Sequence, residues 1–459
     1  MNASVSADRE TNAFDDWFAT KQFLSSSITL AKHQCSSIPC DEIEDFINNV
    51  YINDIIRLQI MEKYGHFCRL FDCKEPIKEK QLVFSTIQRL LSDMNNEVSK
   101  VNPLFKFKII QVGSSMEETR PFRPDEFDFL LICTEIIRYL EISRHNEIHT
   151  SVTIKTLDVS GLKYFQKEWI GPGGYFDFET YSISHRLAIY TALKNIFDCG
   201  SYGAHLFIEP LLYSGGQILC IHLKWRGPFF KDMPISIDLV HALKIADYNP
   251  EVSFVDEPCQ YYCFPKGHYF FSEGISLWPV AFSEVELKLV RNLPEEARKG
   301  LKLAKGVRIN ELFPEKIIQT MQNVSSLDEC LKTYMLKTNV IVLSKVVPIS
   351  KQFNRTQWAY MTYGLVVKRL LLLGDLPNIF DVSPKHKVFH VFACRHRIDL
   401  ACEEERKCCI QRKNLAIIAL NIREVFRCYL EKQGHDTAQL DEFVMTALQK
   451  QPFEWFQRS

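Results

Sequence analysis

The chain has 459 residues, 46% of them apolar and 24% charged, proportions ordinary for a soluble globular protein. That length can bury a large core and favours two lobes over one. Lys and Arg number 55 against 56 Asp and Glu, which excludes a nucleic-acid coat over the whole surface but not a local basic face.

The first sixteen residues are polar and are expected to be disordered; they contain no apolar stretch of the kind a secretory signal requires. No apolar run approaches membrane-span length, since Gly364 to Leu373 is short and interrupted by Lys368-Arg369. Fifteen cysteines without a signal peptide point to a reducing compartment, so a cytoplasmic location and no membrane partner are expected.

From Asp41 to Lys100 the pattern is helical. Val83, Ile87, Leu90, Leu91, Met94 and Val98 recur at the spacing that lays one apolar stripe along a long helix. The period then changes. Phe105–Ile110 and Phe127–Ile132 read as strands, with further strands at His205–Leu211, Gln217–Lys224 and Pro234–Ala242. The Gly- and aromatic-rich segment Ser160–Tyr175 reads as a mobile loop. Beyond about residue 246 the strands are expected to stop and helices to dominate. One helix is expected to stop at Gly374, with Pro377 beyond it, and Leu415–Lys432 to stop before Gly434. The fold class is α/β, with a mixed lobe followed by a helical one. The expected divisions are an N-terminal extension at 1–56, a core at 57–245, a helical lobe at 246–384 and a Cys-rich helical extension at 385–459.

Three acids carry the chemistry. Side chains on a strand alternate faces, so Glu126 and Asp128 point together while Phe127 and Phe129 pack behind them. In Ile235-Ser236-Ile237-Asp238-Leu239 the same rule leaves Ser236 and Asp238 on one face. Carboxylates so placed suit a hard divalent ion such as Mg2+ or Mn2+. Gly113-Ser114 stands after the first strand. Gly113 would let the backbone approach a polyphosphate, and Ser114 would donate a hydrogen bond to it. Eleven residues separate Ser114 from Glu126. An acid–apolar–acid strand is common on half-exposed sheets and Gly-Ser is an everyday turn; their combination is the layout of a bilobal nucleotidyltransferase fold, with a twisted mixed sheet in its catalytic lobe.

With those residues in view, the chain from about Arg57 to Ser383 resembles the cGAS-like receptors, relatives of cyclic GMP–AMP synthase in the male-abnormal family of nucleotidyltransferases. Pro265-Lys266, Trp278-Pro279-Val280-Ala281-Phe282-Ser283, Gly300–Lys305 and Leu331–Thr338 are similar to the family's ordered downstream segments. The resemblance implies that Glu126, Asp128 and Asp238 bind the metals and that Ser114 touches the β- and γ-phosphates. It gives Lys302 and Lys305 phosphate neutralisation, Thr333 a phosphate hydrogen bond and Tyr334 a base to stack on. The alternatives are that both lysines line the solvated face of an amphipathic helix and that Tyr334 is a core residue. The implied activity is synthesis of a cyclic dinucleotide second messenger from ATP and/or GTP in innate immune signalling.

Two departures qualify the likeness. Pro279 stands where members that make cyclic GMP–AMP carry a base-reading arginine, and proline offers no donor. Leu287 to Gly300 contains no Cys or His, so the zinc thumb of the vertebrate enzyme is excluded at that point. Thumbless animal relatives often respond to double-stranded RNA. The Arg298, Lys299, Lys302, Lys305 and Arg308 cluster is a candidate contact for such an activator. Two rivals stand beside this reading: a catalytically inactive family member acting as a nucleotide-binding scaffold, and a template-independent RNA-tailing enzyme. Product bases, linkage and oligomeric state are not written in these motifs. His386, His390 and Cys394 share helical spacing, but a cysteine-rich extension is the default there.

Overall fold

A computed structural model describes residues 77–120, 123–144, 151–200, 202, 205–208, 219–246, 248, 254–264, 278–307, 333–372, 416, 419–420, 422–450 and 455. The readings made for 1–56, for Pro265-Lys266 and for the His386–Cys409 cluster lie outside the described residues. The chain is of mixed α/β class and divides into two compact units, one spanning Lys74–Arg291 and the other containing Asn292–Ser459.

The first unit opens with α1, Ile77–Val101. All six residues of the expected apolar stripe are fully buried. Each such aliphatic side chain contributes about 1.5–3 kcal/mol relative to exposure. The chain then makes a 3-10 turn, Pro103–Phe105, because Asn102 accepts from the Leu104 N–H with its side chain and caps it. The first strand therefore starts two residues later than expected, as β1, Phe107–Val112. Asn95 of α1 fixes that start by bonding both the N–H and the carbonyl of Phe107.

Nine strands among the described residues form the sheet. They continue with β2 (Glu126–Cys133), β3 (Leu140–Arg144), β4 (Ser151–Thr156), β5 (Leu206–Ile208), β6 (Leu219–Trp225) and β7 (Met233–Ile245). The last two are β8 (Tyr261–Cys263) and β9 (Trp278–Ala281). The order is β1-β2-β7-β8-β9-β4-β3, with β6 pairing β5 and β7. The β2–β7 pair is parallel and the other pairs are antiparallel, which makes the sheet mixed.

Strands β8 and β9 correct the expectation that strands end near residue 246. Both are short, and the sequence signal of a three- or four-residue strand is weak; pairing to β7 and β4 is what makes them strands. Strands β3 and β4 and helix α2, Phe178–Asp198, were also not anticipated. The first turn of α2 is capped by Asp177, which accepts from the Thr180 N–H. Segment 160–175 is likewise no open loop. Trp169 is fully buried there, edge-on to Phe165 and Tyr181 at ring distances of 5.2 and 5.1 Å.

Helices α1 and α2 cover one face of the sheet. On it lie Phe127, Phe129 and Leu131 of β2 and Ile237, Leu239 and His241 of β7, all buried. The opposite face carries Asp128 and Asp238. Further along the same strands it becomes apolar, with Leu130, Ile132 and Ala242 packed among Tyr262 and Ala281. Helix α3, Ser283–Arg291, closes the unit.

The second unit contains α4 (Glu295–Gly306), α5 (Thr333–Val346), α6 (Arg355–Leu372) and α7 (Ala438–Leu448), with a further helical segment at 422–432. Helix α4 crosses α6 at Gly300, where a Cβ would lie 2.5 Å from the Trp358 Cβ and 2.9 Å from the Arg355 carbonyl oxygen. Only glycine permits that approach. The 422–432 segment ends where expected, with Gly434 at φ +78° and its N–H bonded to Glu431 O. No helix among the described residues is long and apolar enough to cross a membrane.

Candidate metal centre

Register brings the acids together. Strands β2 and β7 run parallel with Asp128 opposite Asp238 and Glu126 opposite Ser236. Since both strands alternate in phase, the three carboxylates emerge on one face, and one oxygen of each lies within 4.8 Å of the others. All three residues are half-buried. Among the described residues this is the single group of three or more side chains placed to hold a metal ion. Three like charges this close repel by about 3 kcal/mol or more per pair at an effective dielectric constant of about 20. A divalent cation relieves that repulsion, and an all-oxygen donor set suits Mg2+ or Mn2+.

The glycine of the turn has a specific steric role. Val112 pairs with Asp128, so the chain passes directly over that carboxylate before forming one helical turn, Gly113–Met116. Gly113 has φ +75°, and a Cβ there would fall 2.0 Å from Asp128 Oδ2. The close approach it permits in this structure is to the Asp128 carboxylate itself. Ser115, the second serine, ties the turn to β2 through its hydroxyl, which donates to Glu126 O at 2.9 Å. Ser114 is half-buried at the second position of the turn.

Two neighbours of the acids, Cys220 and Arg120, escaped sequence reading. Cys220 of β6 stands opposite Asp238, with its Sγ 3.1 Å from Ser236 Oγ. Burial, with Asp238 beside it, pushes its thiol up to about 11, so it stays protonated near neutral pH. Ser236 Oγ lies 3.5 Å from Asp238 Oδ1. Arg120 follows the helical turn and contacts Glu126 through Nη1. Burial opposes its charge, but Glu126 and Asp125 outweigh that and raise its pKa. Strand pairing reveals Cys220, and loop geometry reveals Arg120. Neither leaves a periodic trace.

The remaining expected site residues belong to the helical unit. Lys302 and Lys305 lie on α4. Lys305 is buried, which removes the solvated-face alternative for that residue, whereas Lys302 is half-buried. Thr333 is the first residue of α5, half-buried, on a helix packed against α4. Tyr334 follows it, and its side chain lies outside the described residues, as does Arg308. Pro279 sits in β9 opposite Ser151 of β4. In a comparison with models of known protein families, none matches this chain.

Proposed function

We propose that this protein is a metal-dependent nucleotidyltransferase that makes a cyclic dinucleotide from ATP and/or GTP. The observation that carries the reading is the convergence of Glu126, Asp128 and Asp238 beneath the Gly113 turn, where one added methyl group would overlap a metal-binding oxygen. A protein retaining the acids for surface solubility alone has no need of that clearance.

Bound divalent ions would supply activation of the attacking hydroxyl and charge neutralisation at the leaving pyrophosphate. The chain's own residues do the positioning. Glu126 and Asp128 offer ligands from one strand and Asp238 offers a third from its parallel neighbour, so the sheet's hydrogen bonds fix their separation. Ser115 locks the turn to β2, which leaves the Ser114 hydroxyl to meet a polyphosphate. A ribose hydroxyl of one nucleotide attacks the α-phosphorus of another, the bond to pyrophosphate breaks, and the hydroxyl proton leaves to solvent or carboxylate. A second round on the linear product closes the ring.

The cyclic product, roles for Lys302, Lys305, Thr333 and Tyr334 in nucleotide contact, an activator such as double-stranded RNA, and a place in innate immune signalling rest on the resemblance alone. The test is incubation of the full chain with all four NTPs and Mg2+ or Mn2+, with and without duplex RNA or DNA, followed by chromatography and mass spectrometry. Cyclic dinucleotide from the native protein and none from Asp128→Ala is the expected result. Normal turnover in that variant would sink the assignment, and extended RNA as the product would favour a tailing enzyme.

A further inference from the structure

Arg120 is seated, not merely nearby. Its Nε donates to the Arg123 carbonyl and to Asp125 Oδ1, each at 3.0 Å, its Nη2 reaches the same Asp125 oxygen, and its Nη1 reaches Glu126 Oε2. The guanidinium side chain is 17% exposed, against 47% for Glu126. A backbone carbonyl and two carboxylates thus hold a permanent cation against one member of the acidic triad. Arginine cannot shed its proton in the accessible pH range, so this charge is always present.

We propose that Arg120 is a specificity-determining counter-ion that makes the acidic site prefer a divalent ion carried on a nucleoside triphosphate over the free ion. The inference rests on reading the acids as a metal site. The three triad carboxylates with Asp125 beside them sum to −4 and attract any divalent cation strongly; the fixed +1 of Arg120 lowers that to −3 and repels an incoming bare ion. A metal–triphosphate complex is net negative, so the same guanidinium attracts it instead of opposing it. The planar fork also holds Glu126 in one orientation, which a lysine ammonium would do less well.

The experiment measures free Mn2+ by electron paramagnetic resonance during titration of the full chain at fixed pH, with and without a non-hydrolysable ATP analogue. Arg120→Gln is expected to bind Mn2+ alone about tenfold tighter than the native protein, and to gain little or lose affinity for the Mn2+–analogue complex. Arg120→Lys, which keeps the charge, stays within about threefold of native for Mn2+ alone. Asp125→Asn removes one negative charge and leaves the guanidinium to Glu126, so it weakens Mn2+ binding by about threefold. Circular dichroism confirms that each variant is folded. Unchanged or weaker Mn2+ binding in Arg120→Gln overturns the proposal, as does tighter binding in Asp125→Asn. Should Arg120→Gln fail to fold, the Asp125→Asn titration still decides. Asp128→Asn separates the two ideas: native Mn2+ binding that survives this variant overturns the metal reading itself.

Discussion

The two units handle charge differently. In the sheet unit the core is mostly aromatic and aliphatic: its buried histidines, His185 and His241, are held neutral, its buried Glu79 accepts from the Trp225 indole and the Phe229 and Phe230 N–H groups, and the three acids stand at the half-exposed edge of one face. In the helical unit buried charges pair with one another. Arg423 and Glu424 are almost completely buried, Arg423 bridges Glu424 and Asp441 and contacts the Tyr360 hydroxyl, and Arg427 pairs with Glu424 and Glu431. The difference is instructive. Carboxylates that must receive a ligand keep access to solvent and tolerate mutual repulsion, whereas buried charges must be satisfied by partners within the fold.

The largest effect expected from breaking this division is at Gly113. Gly113→Ala places a methyl group on Asp128 Oδ2 and imposes strain at φ +75°. The proposed nucleotidyl transfer should fall by about a hundredfold or more, while far-ultraviolet circular dichroism stays near native. Next comes the helical unit: Arg423→Met takes the cation from Asp441 and leaves Glu424 to Arg427 alone, and should cost about 3–5 kcal/mol in denaturant unfolding. A cost under about 1 kcal/mol would show that the buried cluster is dispensable.

The histidine pair predicts a pH effect of intermediate size. His241 Nε2 lies 2.9 Å from His185 Nδ1, and both rings are fully buried near Tyr181 and Cys133. Burial, assisted by Arg186, lowers His241 to about 3, and burial with His241 alongside lowers His185 well below its ordinary value. The unfolded chain therefore binds more protons than the folded one at acid pH. Stability is fully present above about pH 6.5 and falls as pH drops toward 3, by about 1.4 kcal/mol per pH unit for each histidine. Urea titrations at pH 7.5 and 5.5 would read this, and the double variant His185→Gln/His241→Asn should flatten the slope. The smallest effect is at the surface, where Lys100→Ala removes an exposed pair with Glu97 at 2.6 Å; its cost should stay below about 0.5 kcal/mol. A larger loss there would blur the contrast between satisfied interior charge and solvated exterior charge.

Legibility in the sequence followed the range of the cause. The α1 stripe and the alternation that aims Glu126 with Asp128 are local periodicities, and both were readable because neighbours in sequence set them. Strands β8 and β9 were not, since a three-residue strand is stabilised by partners remote in sequence. Lys305 illustrates the same limit: its spacing on α4 fits a solvated face, and only packing shows it to be buried.

The sequence alone determined which residues could do chemistry: two acids in phase on one strand, a third on another, and a glycine before them. The tertiary structure decided that they meet. Parallel pairing set Asp128 opposite Asp238, the β1–β2 register drew Gly113 over that carboxylate, and the loop beyond it seated Arg120 against Glu126. Residue type and spacing along a strand are local properties, whereas register and loop closure are fixed by the sum of distant contacts.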